Sequence, residues 1–214
     1  SAAGVADPAA RVGTWVPTAS GDEVWVGCPL RLHRRCDEPM FSISNAIAYG
    51  GQMVQGKNNL ASSLPESGWI DVQSAVAQGH WVPEEGAQLE ALLQVLIKRH
   101  GVDPLQMAMI TPFRDASRRI KAMGKHYGLQ MDRTGTVHTA QGKEADIVVL
   151  VLGGDPGSPG SKAWAASKPN LLNVAVSRAK TRLYVIGDKS KWERHDYFDQ
   201  LSKSLPSFNP AHVS

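Results

Sequence analysis

An α/β domain, with a parallel sheet covered by helices on both faces, is the fold class this sequence predicts. Two observations predict it. Met107–Ile110, Ile147–Leu152 and Leu183–Ile186 are unbroken apolar runs, the signature of strands buried on both faces. Segments with helical periodicity alternate with these runs, as parallel pairing requires. The 214 residues are enough for one large domain or two small ones, and 42% hydrophobic against 20% charged residues supports a packed core.

The elements follow in order. Residues up to about Gly21 are rich in Ala, Gly, Pro and Ser and read as a tail or linker, leaving a domain over 22–205 and a second tail over 206–214. Val24–Val26 is a short β-type run. Pro39 to Tyr49 reads as a helix because Met40, Ile43 and Ile47 share a face and Gly50-Gly51 stops it. Residues 58–68 read as loop and Trp69–Val72 as a strand. Pro83 and Glu84-Glu85 open a helix with a Leu89, Leu92, Leu93, Leu96, Ile97 stripe; Lys98-Arg99 suit its C-terminal dipole and Gly101 ends it. After the Met107–Ile110 strand comes a basic helix from Phe113 to about Tyr127, stopped by Gly128. Thr136–His138 reads as a short strand, Gly153–Pro169 as a loop carrying Trp164, and Leu171–Ala179 as a helix. Gly187-Asp188 caps a last helix reaching about Leu201. Ligands of such folds bind at the carboxyl ends of the strands.

Several classes are disfavoured at once. No apolar run approaches the ~18 residues of a membrane span, and Ser1-Ala2-Ala3-Gly4 does not open a signal peptide. Two cysteines, Cys28 and Cys36, make neither a disulfide framework nor a metal pair, so a reducing cytoplasm is the expected setting. The net charge of +3 is too small to argue for nucleic acid, and only its distribution can do so. Two segments imitate nucleotide motifs. Gly51 to Asn58 nearly spells a phosphate-binding loop, but Asn58 replaces the Mg²⁺-binding hydroxyl and a helix precedes it where a strand should. Asp37-Glu38 resembles an acidic Mg²⁺ pair, yet no apolar strand precedes it, and it reads better as a helix N-terminus.

Four polar segments carry candidate chemistry. Leu32–Cys36 holds His33, Arg34 and Arg35, either a solvated face or a phosphate grip, since guanidinium pairs bidentately with phosphate. Ile110–Arg114 ends a strand where Thr111 would cap the next helix, a ready anion site. The helix itself carries Arg114, Arg118, Arg119, Lys121 and Lys125 against one Asp115, a surface-helix composition or a nucleic-acid footprint. Thr136–Asp146 is dense in hydrogen-bonding groups, and Gly142 permits close backbone approach to a ligand. Asn173–Lys180 places Arg178 near a helix end, where it either satisfies carbonyls or reaches a phosphoryl group.

Together these segments resemble the second RecA-like domain of superfamily 1 helicases, subfamily B. His33-Arg34-Arg35-Cys36 resembles motif IV, with Phe41 to Asn45 and Tyr49-Gly50-Gly51 as its continuation. Ile110-Thr111-Pro112-Phe113 is similar to a further family segment, Val137–Glu144 to motif V, and Asn173–Lys180 to motif VI. Arg34 replaces the Tyr that many relatives stack on adenine, and Asp37 replaces a His; a guanidinium plane can also stack. The resemblance spans about Leu30 to Asp188 and implies a RecA-like parallel sheet.

The resemblance also implies a mechanism. ATP with Mg²⁺ would sit in a cleft between two RecA-like domains, the first of which this chain does not contain. An excised fragment, inactive as an ATPase alone, is the expectation. Arg35 and Arg178 match the arginines that reach the γ-phosphate. Arg34, Gly142, Lys143 and Glu144 match nucleotide-binding positions. Thr111, Pro112, Arg114, Arg118, His138, Thr139 and Gln141 would hold single-stranded nucleic acid, DNA or RNA. The alternative class is a non-catalytic RecA-like docking module for nucleic acid or protein. A Rossmann-type enzyme is disfavoured because no G-x-G-x-x-G follows a strand.

Overall fold

A computed structural model of the chain describes residues 13–17, 23–27, 32–56, 62–140, 142–155 and 157–212. Two small sheets come first. Gly13–Pro17 (β1) pairs antiparallel with Glu23–Gly27 (β2), and Leu32–His33 (β3) pairs in parallel with Val54–Gln55 (β4) on either side of helix α1 (Met40–Ala48). The main sheet consists of β5 (Gly68–Asp71), β6 (Met107–Thr111), β7 (Thr134–Thr136), β8 (Ala145–Val151) and β9 (Ala179–Gly187). Its order is β5-β9-β8-β6-β7 and every neighbouring pair is parallel. The connecting helices are α2 (Pro83–Gln94), α3 (Arg114–Tyr127), α4 (Pro159–Ala166), α5 (Pro169–Arg178), α6 (Lys189–Trp192) and α7 (Phe198–Ser204). None of the described helices is long and apolar enough to cross a membrane.

The period-2 geometry of a strand explains why the apolar runs are unbroken. Val148 and Leu150 join one core cluster with α1, α5 and α7, whereas Ile147, Val149 and Val151 join another with α2. β6 and β9 divide in the same way: Ala108, Ile110, Leu183 and Val185 to the first cluster, Met107, Met109, Tyr184 and Ile186 to the second. Each fully buried Leu, Ile or Val contributes about 1.5–3 kcal/mol. The central stretches Met107–Ile110, Ile147–Val151 and Leu183–Ile186 therefore have no charged position to spare.

Several elements differ from the sequence reading. Gly13–Pro17, read as tail, is a strand, because Thr14 and Val16 pair with Val26 and Val24. Pro206–Phe208 is likewise no tail: Trp69 N–H donates to the Pro206 carbonyl and Phe208 N–H to the Trp69 carbonyl, both at 2.8 Å. The strand expected at Thr136–His138 lies two residues earlier. Val137 to Ala140 form a turn instead, in which the Thr139 and Ala140 N–H groups both reach the Thr136 carbonyl. The Gly153–Pro169 loop contains α4, started by Pro159 at a first-turn position where its missing N–H costs nothing. β9 begins at Ala179, four residues before Leu183. The last helix is two, broken before Tyr197 at φ 68°.

Both imitations resolve structurally. Gly50 and Gly51 end α1 with φ of 58° and 75°, and the Asn45 side chain holds Met53 through its carbonyl and N–H. The supposed phosphate loop then enters β4; Lys57 and Asn58 lie outside the described residues, as does Cys28. Glu38 accepts from the Ser42 N–H and hydroxyl, serving the first turn of α1.

Candidate functional site

The amino edge of the sheet collects one group of side chains. α5 ends at Arg178 and β9 starts at Ala179 with no loop between them, so Arg178 is held at the start of a central strand. Glu144 immediately precedes β8. The segment before α1 closes over both. Asp37 N–H donates to the Lys180 carbonyl at 2.8 Å, and the buried Cys36 thiol donates to the Ser177 carbonyl at 3.6 Å. Ser44 and Asn173, bonded at 2.5 Å, tie α1 to α5. These anchors set Arg35 beside Glu144, Nε to Oε1 at 2.6 Å, with Lys180 3.9 Å from the same carboxylate. Pairs this exposed are worth at most about 1 kcal/mol, so Arg35 is oriented without being locked.

Arg178 has no such partner. Its Nε is buried without a hydrogen bond among the described residues. Burial pushes its pKa down, and the neighbouring Arg35 charge pushes the same way. A buried donor left unmade costs ~1–3 kcal/mol, more when charged, so an anionic oxygen would be well received here. His33 accepts from Cys36 N–H at 3.1 Å, and burial followed by Arg35 lowers its pKa. Arg34 is exposed. Gly142, at φ 81°, lies in open space. Lys143 is drawn elsewhere, to the Asp132 carboxylate at 3.0 Å on the turn before β7. This cluster corrects the expectation of a carboxyl-edge site. Because motif VI is a helix running into a strand, its arginine falls at the amino edge.

The opposite edge gathers the basic candidates. Arg114, Arg118, Lys121 and Lys125 recur every three or four residues and form one stripe along α3, with Arg114 and Arg118 exposed. A Cβ on Gly135 would meet Lys121 at 2.8 Å and Thr139 Oγ1 at 3.0 Å, so this glycine lets α3 approach the Val137–Ala140 turn. Thr139 shares a 3.3 Å contact with the Thr136 hydroxyl, and His138 is exposed. Gln141 lies outside the described residues.

Thr111 and Pro112 depart from expectation. Thr111 is fully buried as the last residue of a central strand, and its hydroxyl accepts weakly from Phe113 N–H at 3.4 Å. Pro112 is buried too, and the N-cap of α3 is Phe113. The central position of β6 covers both residues.

The carboxyl edge also holds groups that sequence reasoning missed. Glu85, 2% exposed, accepts from Gly153 N–H at 2.8 Å, and burial pushes its carboxyl up to about 8. His80 stacks on Phe113 at 4.1 Å, while Asp115 accepts from its backbone N–H at 2.6 Å. The tandem Glu84-Glu85 was the available signal.

The AAA_12 model, described as an AAA domain, matches residues 26–190. The chain is 23% identical over 185 residues to the DNA replication ATP-dependent helicase/nuclease DNA2 of Gallus gallus, covering 83% of this chain and 18% of that protein. It is 30% identical over 111 residues to the DNA polymerase alpha-associated DNA helicase A of Schizosaccharomyces pombe, covering 49% of this chain and 16% of that one. The chain thus spans about a fifth of the length of the curated relatives it matches. Among solved structures, the C-terminal domain of a possible DNA helicase from Lactobacillus plantarum WCFS1 aligns at a TM-score of 0.44 and 14% identity, covering 85% of this chain and 94% of that one. With a family match over residues 26–190 and a parallel sheet covered by helices, the α/β architecture of RecA-like domains, the chain belongs to the AAA_12 family of AAA domains.

Proposed function

We propose that this domain is the C-terminal motor half of an ATP-dependent helicase or translocase acting on single-stranded nucleic acid, paired with a first RecA-like domain of the same protein. Arg178 carries the reading: a half-buried guanidinium whose Nε is buried without a hydrogen bond among the described residues, within electrostatic reach of Arg35 and Glu144. Two convergent guanidinium groups suit a polyphosphate better than any protein partner in view, because each can bind phosphate oxygens bidentately. Arg35 and Arg178 would hold the γ-phosphate of ATP, Gly142 and Glu144 the backbone and sugar side, and Arg34 the base by stacking. Mg²⁺ belongs to the first domain. ATP supplies the phosphoryl group whose transfer to water drives the cycle. To reach it Arg35 leaves Glu144, and their exposed pairing makes that exchange cost only about 1 kcal/mol.

Nucleic acid would run along the other edge, over Arg114, Arg118, His138 and Thr139. Backbone contacts of this type are independent of sequence. The buried Thr111 and Pro112 support that surface from below. Residues 137–144 join Thr139 at one edge to Glu144 at the other, so a shift at the nucleotide is felt at the strand.

The decisive experiment is Arg178→Ala in a protein containing both RecA-like domains. Turnover should fall by about 10³–10⁵, the usual contribution of an arginine finger, with a much smaller change in nucleic-acid affinity. A folded variant with near wild-type kcat refutes the assignment.

A further inference from the structure

We infer that Trp164 is a base-stacking platform for single-stranded nucleic acid, set beside the α3 and Val137–Ala140 surface. The inference rests on the nucleic-acid reading above and extends it to a residue outside every motif. Trp164 is 60% exposed, on a helix whose Lys162, Ala165 and Ala166 are buried. Ala165 and Ala166, next along α4, are 2% and 5% exposed and belong to the core cluster that contains Phe113, Val137 and Ala140. Those three residues flank Arg114 and His138-Thr139. α4 also follows Gly153-Gly154 at the carboxyl end of β8, the strand beside β6, whose own carboxyl end opens the basic helix. The indole is thus carried at the edge where the basic stripe begins. Its last turn is pinned, since the Ser167 N–H and hydroxyl both donate to the Trp164 carbonyl, at 3.2 and 2.8 Å.

The surroundings decide the partner. The other exposed positions nearby are Gly160, Ala163, Ser167, Lys168 and Asn170, all small or polar. A protein interface would need a contiguous apolar patch around the ring, and the exposed described residues of α4 and of its link to α5 add none. A nucleobase needs one open π-face and a neighbouring cation for its phosphate. Lys168, exposed in the link between α4 and α5, follows Trp164 by four residues, and between Gly157 and Ser177 the only charged residues are Lys162 and Lys168, with no carboxylate in that stretch to repel a phosphate chain.

Fluorescence anisotropy of this protein with labelled oligothymidylate, and with an abasic strand of equal length, tests the inference. Base–aromatic stacking of ~1–3 kcal/mol corresponds to about 5- to 150-fold in affinity. Trp164→Ala should weaken oligothymidylate binding by that factor, leave the salt slope unchanged, and abolish the preference over the abasic strand. Trp164→Phe should retain much of the binding. A folded Trp164→Ala protein that keeps both affinity and preference overturns the inference and assigns the ring to a protein contact. Failure of the wild type to bind either strand overturns the nucleic-acid reading itself.

Discussion

Glu85 makes the stability of this domain fall with pH in the neutral range. Its carboxyl is 2% exposed, and burial raises its pKa from 4.5 to about 8, only partly opposed by the Gly153 N–H. The folded chain therefore keeps a proton that the unfolded chain releases near pH 4.5, and stability declines as pH rises between those values. The limiting slope is about 1.36 kcal/mol per pH unit and halves as the pH reaches the folded pKa, so about 1.6 kcal/mol should be lost from pH 6.5 to 8. Lys162, whose pKa burial lowers beside Glu85, acts with the opposite sign, so the comparison with Glu85→Gln rather than the wild-type slope alone reports the carboxyl. Asp115 and Asp188, with lowered pKa values, titrate in acid, and His33, also lowered, acts below 6.5 with the opposite sign. Glu85→Gln keeps an acceptor for Gly153 and has no proton to release. Urea denaturation across pH 6–8.5 should show the wild type falling and the variant nearly flat, the curves separating by about 2 kcal/mol at pH 8. Parallel curves would refute the buried, protonated carboxyl.

Three further outcomes are expected. The isolated chain should release phosphate from ATP no faster than background, because two arginines without a phosphate loop do not hold Mg²⁺-ATP; steady turnover that Arg178→Ala abolishes would contradict this. Arg118→Glu with Arg119→Glu should weaken single-strand binding and make it less salt-dependent, by about 0.7 in log–log slope for each lost phosphate contact; unchanged affinity by anisotropy removes α3 from the interface. Gly153→Ala should destabilise by ~2–4 kcal/mol in chemical denaturation, since φ is 60° and a Cβ there would strike the His80 carbonyl oxygen; a shift under 0.5 kcal/mol would mean the turn adapts.

How much could be read from the sequence follows from what each element depends on. β6 and β8 were readable because both of their faces are buried, which leaves an unmistakable apolar run. α3 was readable because Gly128 sits at φ 81° as its stop. The hairpin of β1 and β2 was not: its strands pair with each other, and Ala, Gly and Pro around them read as linker. α4 was hidden by Gly and Pro on both sides of a single helical turn pair. At the site, the motif arginines were found at once, because spacing identifies them. Their placement at the amino edge was not, since it depends on α5 joining β9 without a loop. The burial of Thr111 likewise depends on β6 lying between β8 and β7, which no local pattern encodes.

The pairing of Pro206–Phe208 with Trp69 reaches beyond local architecture. β5 is the outer strand on its side of the sheet, and its free backbone groups would otherwise invite another chain to add a strand. Ser207 bridges Trp69 in parallel, and Phe208 covers the flank against Tyr184 at 5.2 Å. The last residues of the fold thus act as a guard against self-association. A chain ending at Leu205 would keep its core yet expose a sticky rim, and its loss would appear as aggregation at high concentration before it appeared as unfolding.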